Sequence, residues 1–341
     1  MAHLFATVLP GLEHVLENEI KVKIADAKLQ GSERGKVYFA SGWPAEALMG
    51  LRTADNLYER IHRFRVGPHK LHLADIEREI CRLDLSWAAR SYRTGEVLFK
   101  VNASRAGKHT YSRFDAAEAA ARGIARRDSR FRHNADGMHE VEFRLDIHHD
   151  DALFALKLTD ASFRFRNGQR SFALAALRPT VAHALVWLSN PAATDVFVDP
   201  CCGSGTILSE RLAYPHRQIA GGDLSEEAVE AAKANAGIHH RVGIHHWDAR
   251  RLPIDSGSVH KIVTNLPFGR QIAADEPIPE LYRGIVKEIN RVLHNNGSAL
   301  CLTDADAELQ SAAERVQLSC TKVAALSLKG LHPTLYMLEK R

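Results

Sequence analysis

Asp195-Val196-Phe197-Val198-Asp199-Pro200-Cys201-Cys202-Gly203-Ser204-Gly205-Thr206 sets a short apolar run against a Gly-Ser-Gly turn, and a helical pattern follows from Thr206 to Leu212. A strand that enters a glycine turn and leaves as a helix is the opening unit of a doubly wound parallel sheet. In such sheets ligands sit beyond the carboxyl ends of the strands. Gly203 and Gly205 permit a tight turn and let a ligand approach the backbone. Two phosphate-binding readings fail. Leu208 stands where GxGxxG needs its third glycine, and no Gly-Lys-Ser/Thr is present.

Downstream, strands and helices keep alternating. Strands are expected at Gln218–Gly222, Val242–Trp247, Val259–Asn265 and Ser298–Thr303, the last after Asn295-Asn296-Gly297. Helices are expected at Ser225–Ala236 and Leu281–Leu293, and the segments 322–328 and 334–338 read as a closing pair of strands. The chemistry-bearing residues fall at the strand ends. Asp199, ahead of the turn, would repel a phosphate and suits the cationic methionine part of S-adenosylmethionine (SAM). Asp223, in Gly221-Gly222-Asp223-Leu224-Ser225, is placed to accept hydrogen bonds from both ribose hydroxyls of an adenosine. Its plainer reading is support for Ser225 at a helix start. Asp248, in Trp247-Asp248-Ala249, suits an adenine amino group, with the adjacent backbone on the ring edge. Thr264-Asn265-Leu266-Pro267-Phe268-Gly269 ends the fourth strand. A base amine is a poor nucleophile because its lone pair is delocalised into the ring. Two acceptors on its hydrogens, the Asn265 side-chain oxygen and the Leu266 carbonyl, would favour a pyramidal nitrogen. Pro267 fixes the backbone direction, and Phe268 offers a face on which a flipped base can stack.

The whole chain has 341 residues, 45% apolar and 25% charged, ample for two or three globular units. No apolar run is long enough to span a membrane. The start, Met1 to Pro10, reads as a strand of the mature fold and not as a signal peptide. Five cysteines without a CxxC pair indicate reduced, cytoplasmic usage and no structural zinc; no metal is expected. Residues 1–178 carry 29 Lys+Arg against 23 Asp+Glu, whereas residues 179–341 carry 16 against 18. The basic excess of the front half suits a polyanion partner. Within it, 100–132 holds nine basic and three acidic residues, among them Arg105, Lys108, Arg113, Arg122 and Arg126. The opening residues form an α+β pattern of ferredoxin-like length and order. A second α+β unit follows, and the Arg/Asn/Gly-rich 165–178 reads as a linker to a helix over 179–188. His148-His149-Asp150-Asp151 reads as a solvated turn.

The four elements after successive strands resemble the class I SAM-dependent amino-methyltransferases, and Asn-Leu-Pro-Phe resembles their Asn-Pro-Pro-Tyr/Phe motif with Leu in place of the first Pro. The front half is similar too. Ala6-Thr7-Val8-Leu9-Pro10-Gly11-Leu12-Glu13, the segment from Val101 to Arg113, and Ala176-Leu177-Arg178-Pro179-Thr180 resemble stretches of the THUMP-domain RNA methyltransferases. That resemblance implies an N-terminal ferredoxin-like domain (1–66), a THUMP RNA-binding domain (67–165), a linker and lead-in helix (166–190) and a Rossmann-like methyltransferase domain (191–341) with sheet order 3-2-1-4-5-7-6. It implies a tRNA guanine-N2 methyltransferase, acting in the acceptor stem at position 6, with THUMP on the RNA 3′ end and a monomer favoured. The implied SAM site holds Asp199, Cys201, Gly203, Gly205, Thr206, Asp223, Leu224, Asp248, Ala249 and Asn265. The catalytic set is Asn265, Leu266, Pro267 and Phe268. RNA contacts fall to Arg105, Lys108, Arg113, Arg122, Arg126 and Arg178. The competing readings are a 23S rRNA guanine-N2 or an adenine-N6 methyltransferase, and an RNA-binding module with an inactive methyltransferase domain. A nicotinamide oxidoreductase is disfavoured by the missing GxGxxG.

Overall fold

The computed structural model describes every residue except 90–94, 136, 167–176, 237–241, 269–276 and 329. The front half is built on one continuous eight-stranded sheet of order β2-β3-β1-β4-β8-β7-β5-β6. Its first part runs β1 (Ala2–Thr7), α1 (Glu13–Lys23), β2 (Lys28–Glu33), β3 (Lys36–Ser41), α2 (Ala45–Leu48) and β4 (Asn56–Arg65). The second part adds α3 (Leu73–Cys81), β5 (Val97–Ala106), α4 (Arg113–Arg127), β6 (Phe131–His133), β7 (Val141–His148), β8 (Asp151–Lys157) and α5 (Ala161–Phe165). Strand β4 pairs with β1 on one side and β8 on the other, so the two expected α+β units share a sheet. His149 and Asp150 form the β7–β8 turn, as their composition suggests. Helix α4 starts on a reciprocal cap: Asp115 N–H donates to Ser112 Oγ at 3.1 Å, and Ser112 N–H to Asp115 Oδ2 at 2.7 Å. Its alanine face, Ala116, Ala119 and Ala120, is buried with Ile76 and Ile80 of α3.

The second half follows: α6 (Pro179–Leu188), β9 (Val196–Asp199), α7 (Thr206–Arg211), β10 (Gln218–Asp223), α8 (Glu226–Ala236), β11 (Val242–His246), β12 (Val259–Asn265), α9 (Ile278–Val292), β13 (Leu293–Thr303), α10 (Asp306–Arg315), β14 (Leu318–Ala325) and β15 (Thr334–Lys340). The sheet order is β11-β10-β9-β12-β13-β15-β14, which is 3-2-1-4-5-7-6 counted within the domain, with β15 antiparallel. Asn295–Gly297 does not precede β13 but lies inside it. Val259 pairs with Leu293 and Lys261 with Ser298, so the extra residues loop out of the ladder. No helix among the described residues is long and apolar enough to cross a membrane.

The halves are joined by a mixed core. Helix α6 begins on Pro179, a good first-turn residue, and Pro179 to Val186 are all buried. A helix apolar all round must be covered on every side. Val181, Leu185 and Val186 share one cluster with Leu12, Val15 and Leu16 of the front half and with Phe197, Ile207 and Leu208 behind. Polar groups at this junction are buried and paired. Glu19 accepts the Arg52 and Thr53 amides, each at 2.9 Å. Glu210, fully buried on α7, is held by Arg52 at 2.8 Å and by Arg166 at 3.1 Å. His183 sits between Thr53 Oγ1 at 2.9 Å and the Tyr214 hydroxyl at 2.6 Å. Burial, with Lys23, Arg52 and Arg166 nearby, holds it well below its ordinary pKa, so it is a neutral imidazole. Most of the linker expected at 165–178 lies outside the described residues.

Candidate active site

The carboxyl ends of β9, β10 and β12 converge where the sequence motifs lie. Asp199 closes β9 fully buried. One of its oxygens accepts the Cys201 amide at 3.2 Å. The other is buried and makes no hydrogen bond of ordinary geometry among the described residues, although the Thr264 hydroxyl lies close by. Burial raises its pKa to about 7; the Thr264 hydroxyl and the Cys201 amide oppose that shift, and the Asp223 charge adds to it. The turn after it needs its glycines. Gly203 (φ +51°) and Gly205 (φ +75°) are both left-handed, and a Cβ on Gly205 would press Ala232 of α8 at 3.1 Å. At Gly203 a Cβ would meet nothing within 4 Å, so space opens in front of the turn. Burial and the adjacent carboxylates push the Cys201 and Cys202 thiols far up, which leaves neither as a nucleophile.

Asp223 ties two loops together. Its Oδ2 accepts the Gly203 amide at 2.9 Å and its Oδ1 the Ser225 amide at 3.1 Å. The plainer reading of Asp223 is thus real, and it leaves room for the other, because a carboxylate has about four acceptor sites and two remain. Leu224 beside it is 61% exposed, an apolar side chain open to solvent. Asp248 already has a partner. Arg250 engages both carboxylate oxygens at 2.7–3.0 Å, its amide adds a further bond, and these bonds hold the carboxyl below the usual range. An adenine amino group would have to share it. The adjacent Trp247 is a residue whose role sequence reasoning missed. It is buried, donates its indole N–H to the Pro200 carbonyl at 3.0 Å, and so fixes the end of β11 against the turn.

Asn265 ends β12 with its amide oxygen buried and unpaired among the described residues. The Leu266 side chain is in the core, and its amide donates to Leu302 O at 3.0 Å, so the Leu266 carbonyl is the atom this residue can offer. Pro267 accepts from the Tyr282 hydroxyl at 3.1 Å, and Phe268 is half-buried against the mixed core. Gly269 lies outside the described residues. Among the described residues no group of three His, Cys, Asp or Glu is arranged to hold a metal ion.

The basic residues of the front half separate into two groups. Arg105 and Lys108 line an open cleft of about 520 Å³ with His69, His109 and Thr110. Neither makes an ion pair among the described residues. Arg113, just beyond, lies over the ring of Phe114 at 4.7 Å, and Phe114 is 69% exposed. Arg122 and Arg126 instead reach Glu77 on α3 at 3.1 and 3.5 Å, and Arg178 faces Asp55 at 3.6 Å.

A seven-stranded sheet of this order, with a glycine turn after its first strand, an acidic residue ending its second and Asn-Leu-Pro-Phe after its fourth, defines a class I, Rossmann-like methyltransferase. Residues 166–334 match the RMKL-like methyltransferase domain, and residues 3–57 match the RlmL ferredoxin-like domain. The second half thus carries an RMKL-like methyltransferase domain, with an RlmL ferredoxin-like domain in front of it. The chain is 28% identical to the tRNA (guanine(6)-N2)-methyltransferase of Thermus thermophilus, over 99% of both chains. The crystal structure of TrmN from Thermus thermophilus superposes on all of the chain with a TM-score of 0.85 at 25% identity. The mouse tRNA (guanine(6)-N(2))-methyltransferase THUMP3 is 29% identical over 71% of the chain. The chain spans about half the length of such mammalian relatives, 51% in the mouse case.

Proposed function

We propose that the protein transfers a methyl group from SAM to the exocyclic N2 of a guanosine in tRNA, at position 6 of the acceptor stem. The observation that carries this reading is the Asn265 amide oxygen, buried without a hydrogen bond among the described residues. An unsatisfied buried acceptor costs stability, and a ligand that donates a hydrogen bond to it recovers that cost. The names of the Thermus and mouse relatives support guanine N2 and tRNA as the target.

The pocket fits the cofactor by its own chemistry. The unpaired Asp199 oxygen suits the methionine ammonium, the spare sites on Asp223 suit the ribose hydroxyls, and Leu224 offers an apolar surface for the adenine. The Ala249 backbone, next to the Arg250-paired Asp248, suits the ring edge. When bound, SAM supplies a methyl group on a sulfonium, open to in-line displacement. The chain's own residues position the amine. Asn265 Oδ1 and the Leu266 carbonyl each hold one of its hydrogens, which turns its lone pair toward the methyl. Phe268 supports the base from the side. No strong base is needed, because the methylated nitrogen is acidic and sheds its proton to solvent. Positioning is the main contribution.

The cleft at Arg105 and Lys108, with exposed Phe114 beside it, suits phosphates and an unpaired base at the RNA 3′ end. The free cysteines fit work in the cytoplasm. Incubation with labelled SAM and unmodified tRNA, followed by nuclease mapping, tests the proposal. Label as N2-methylguanosine at position 6 is expected. Label only in rRNA, or as N6-methyladenosine, would replace the substrate, and no transfer to any RNA would leave a binding module.

A further inference from the structure

The Leu266 carbonyl is one of the two proposed acceptors, and the structure clamps it from both sides. On one side the Leu266 N–H donates to Leu302 O of β13 at 3.0 Å. On the other, the Tyr282 hydroxyl bonds to Pro267 O at 3.1 Å and to Thr303 Oγ1 at 2.7 Å. Tyr282 lies on α9 and is fully buried.

Donor counting gives this group a direction. A carbonyl only accepts, so the single phenolic hydrogen goes to Pro267 O. Thr303 must then donate to the Tyr282 oxygen. Thr303 Oγ1 in turn accepts the Ala305 N–H at 2.9 Å. The chain runs Ala305 N–H, Thr303 O–H, Tyr282 O–H, Pro267 C=O, and each bond strengthens the next. Burial keeps the phenol protonated at any working pH, so the donor is always present. Between the two anchors Pro267 has a fixed φ, so little freedom is left for the Leu266–Pro267 peptide.

We infer that Tyr282 is a positioning residue for methyl transfer: by holding the Pro267 carbonyl it sets the direction of the Leu266 carbonyl toward the target amine. The inference rests on the proposed role of Asn265 and Leu266. A small misplacement of a reacting group costs up to about 10²-fold in rate.

Single-turnover methylation of tRNA, with SAM and tRNA affinities measured separately, tests it. Tyr282→Phe is expected to slow the methyl-transfer step by about 10- to 100-fold with both affinities within about twofold of wild type. Thr303→Val, which leaves the Tyr282–Pro267 bond in place, is expected to slow it by only a few-fold, and Thr303→Ser to restore the wild-type rate. A Tyr282→Phe protein that melts lower but transfers at the wild-type rate would overturn the inference, as would a Thr303→Ser protein as slow as Thr303→Val. Asn265→Ala in the same assay separates the two levels. If it is inactive while Tyr282→Phe is normal, only Tyr282 loses its role. If it is fully active, the reading beneath falls and the inference with it.

Discussion

The pocket at Asn265 and the cleft at Arg105 use polar groups in opposite ways. In the pocket the important atoms are few, buried and short of partners: one oxygen of Asp199 and one of Asn265. In the cleft they are solvated cations on an open rim. A buried acceptor is aligned before substrate arrives and acts in a low dielectric, so each one matters greatly. A surface cation meets a phosphate through screened charge, so each one matters a little and the effect fades with salt. Arginine count alone therefore does not locate the proposed RNA surface. Arg122 and Arg126 add to the positive charge of the segment, yet both are partnered by Glu77.

The largest effect belongs to the pocket. Asn265→Ala is expected to lower the single-turnover rate by about 10²- to 10³-fold while SAM and tRNA still bind. A rate within a few-fold of wild type would erase the contrast between the two regions.

A middle-sized effect comes from Asp199. Its pKa is about 7 in the folded protein against an ordinary 3.8, so the folded, ligand-free state holds a proton that the unfolded chain has released. Stability of the free protein should therefore fall as pH rises from about 4 to about 7. SAM binding has the opposite sign. An ammonium beside the carboxylate favours the ionised form, so affinity should rise up to tenfold per pH unit below 7 and level off above it, with uptake of a proton by the buffer. Calorimetry in buffers of different ionisation enthalpy reads that proton, and a flat pH profile would remove Asp199 from the contact.

The smallest effects lie on the front half. Arg105→Ala with Lys108→Ala should weaken tRNA binding and make the log affinity–log salt slope shallower by roughly one and a half to two units. Arg122→Ala with Arg126→Ala should leave affinity within about twofold, because exposed pairs with Glu77 contribute under about 1 kcal/mol and offer little free charge. Equal losses from the two double variants would mean that pairing does not sort these arginines.

The catalytic sheet was legible because its signals are local. Apolar strands end in Asp199-Pro200, Gly222-Asp223 and Asn265-Leu266, and each motif sits where backbone and chemistry agree. Less was legible where neighbours distant in sequence decide. Strand β2, Lys-Leu-Gln-Gly-Ser-Glu, is an edge strand, mostly exposed, with a register shift at Leu29/Gly31, so it lacks alternation. The Asn-Asn-Gly run signals a turn, and it falls in an irregularity inside β13, between Leu293, which pairs with Val259, and Ser298, which pairs with Lys261. Glu77 meets Arg122 across 45 residues, and Tyr282 meets Thr303 across 21; no spacing rule joins such pairs. The Arg250 grip on Asp248 was local, two residues away, but an Asp-Ala-Arg sequence fits a turn as well as a ligand site.

The mixed core at α6 also sets an order of events during synthesis. Leu12, just before the first helix, and Val15 and Leu16 within it share a buried cluster with Val181, Leu185 and Val186. Trp187 closes on Asn18 at 2.9 Å and Thr180 on Asp55 at 2.7 Å. At roughly 5–20 residues per second, the ribosome needs on the order of ten seconds between finishing the first 55 residues and releasing the helix that covers them. During that interval the opening domain carries an apolar flank with no lid.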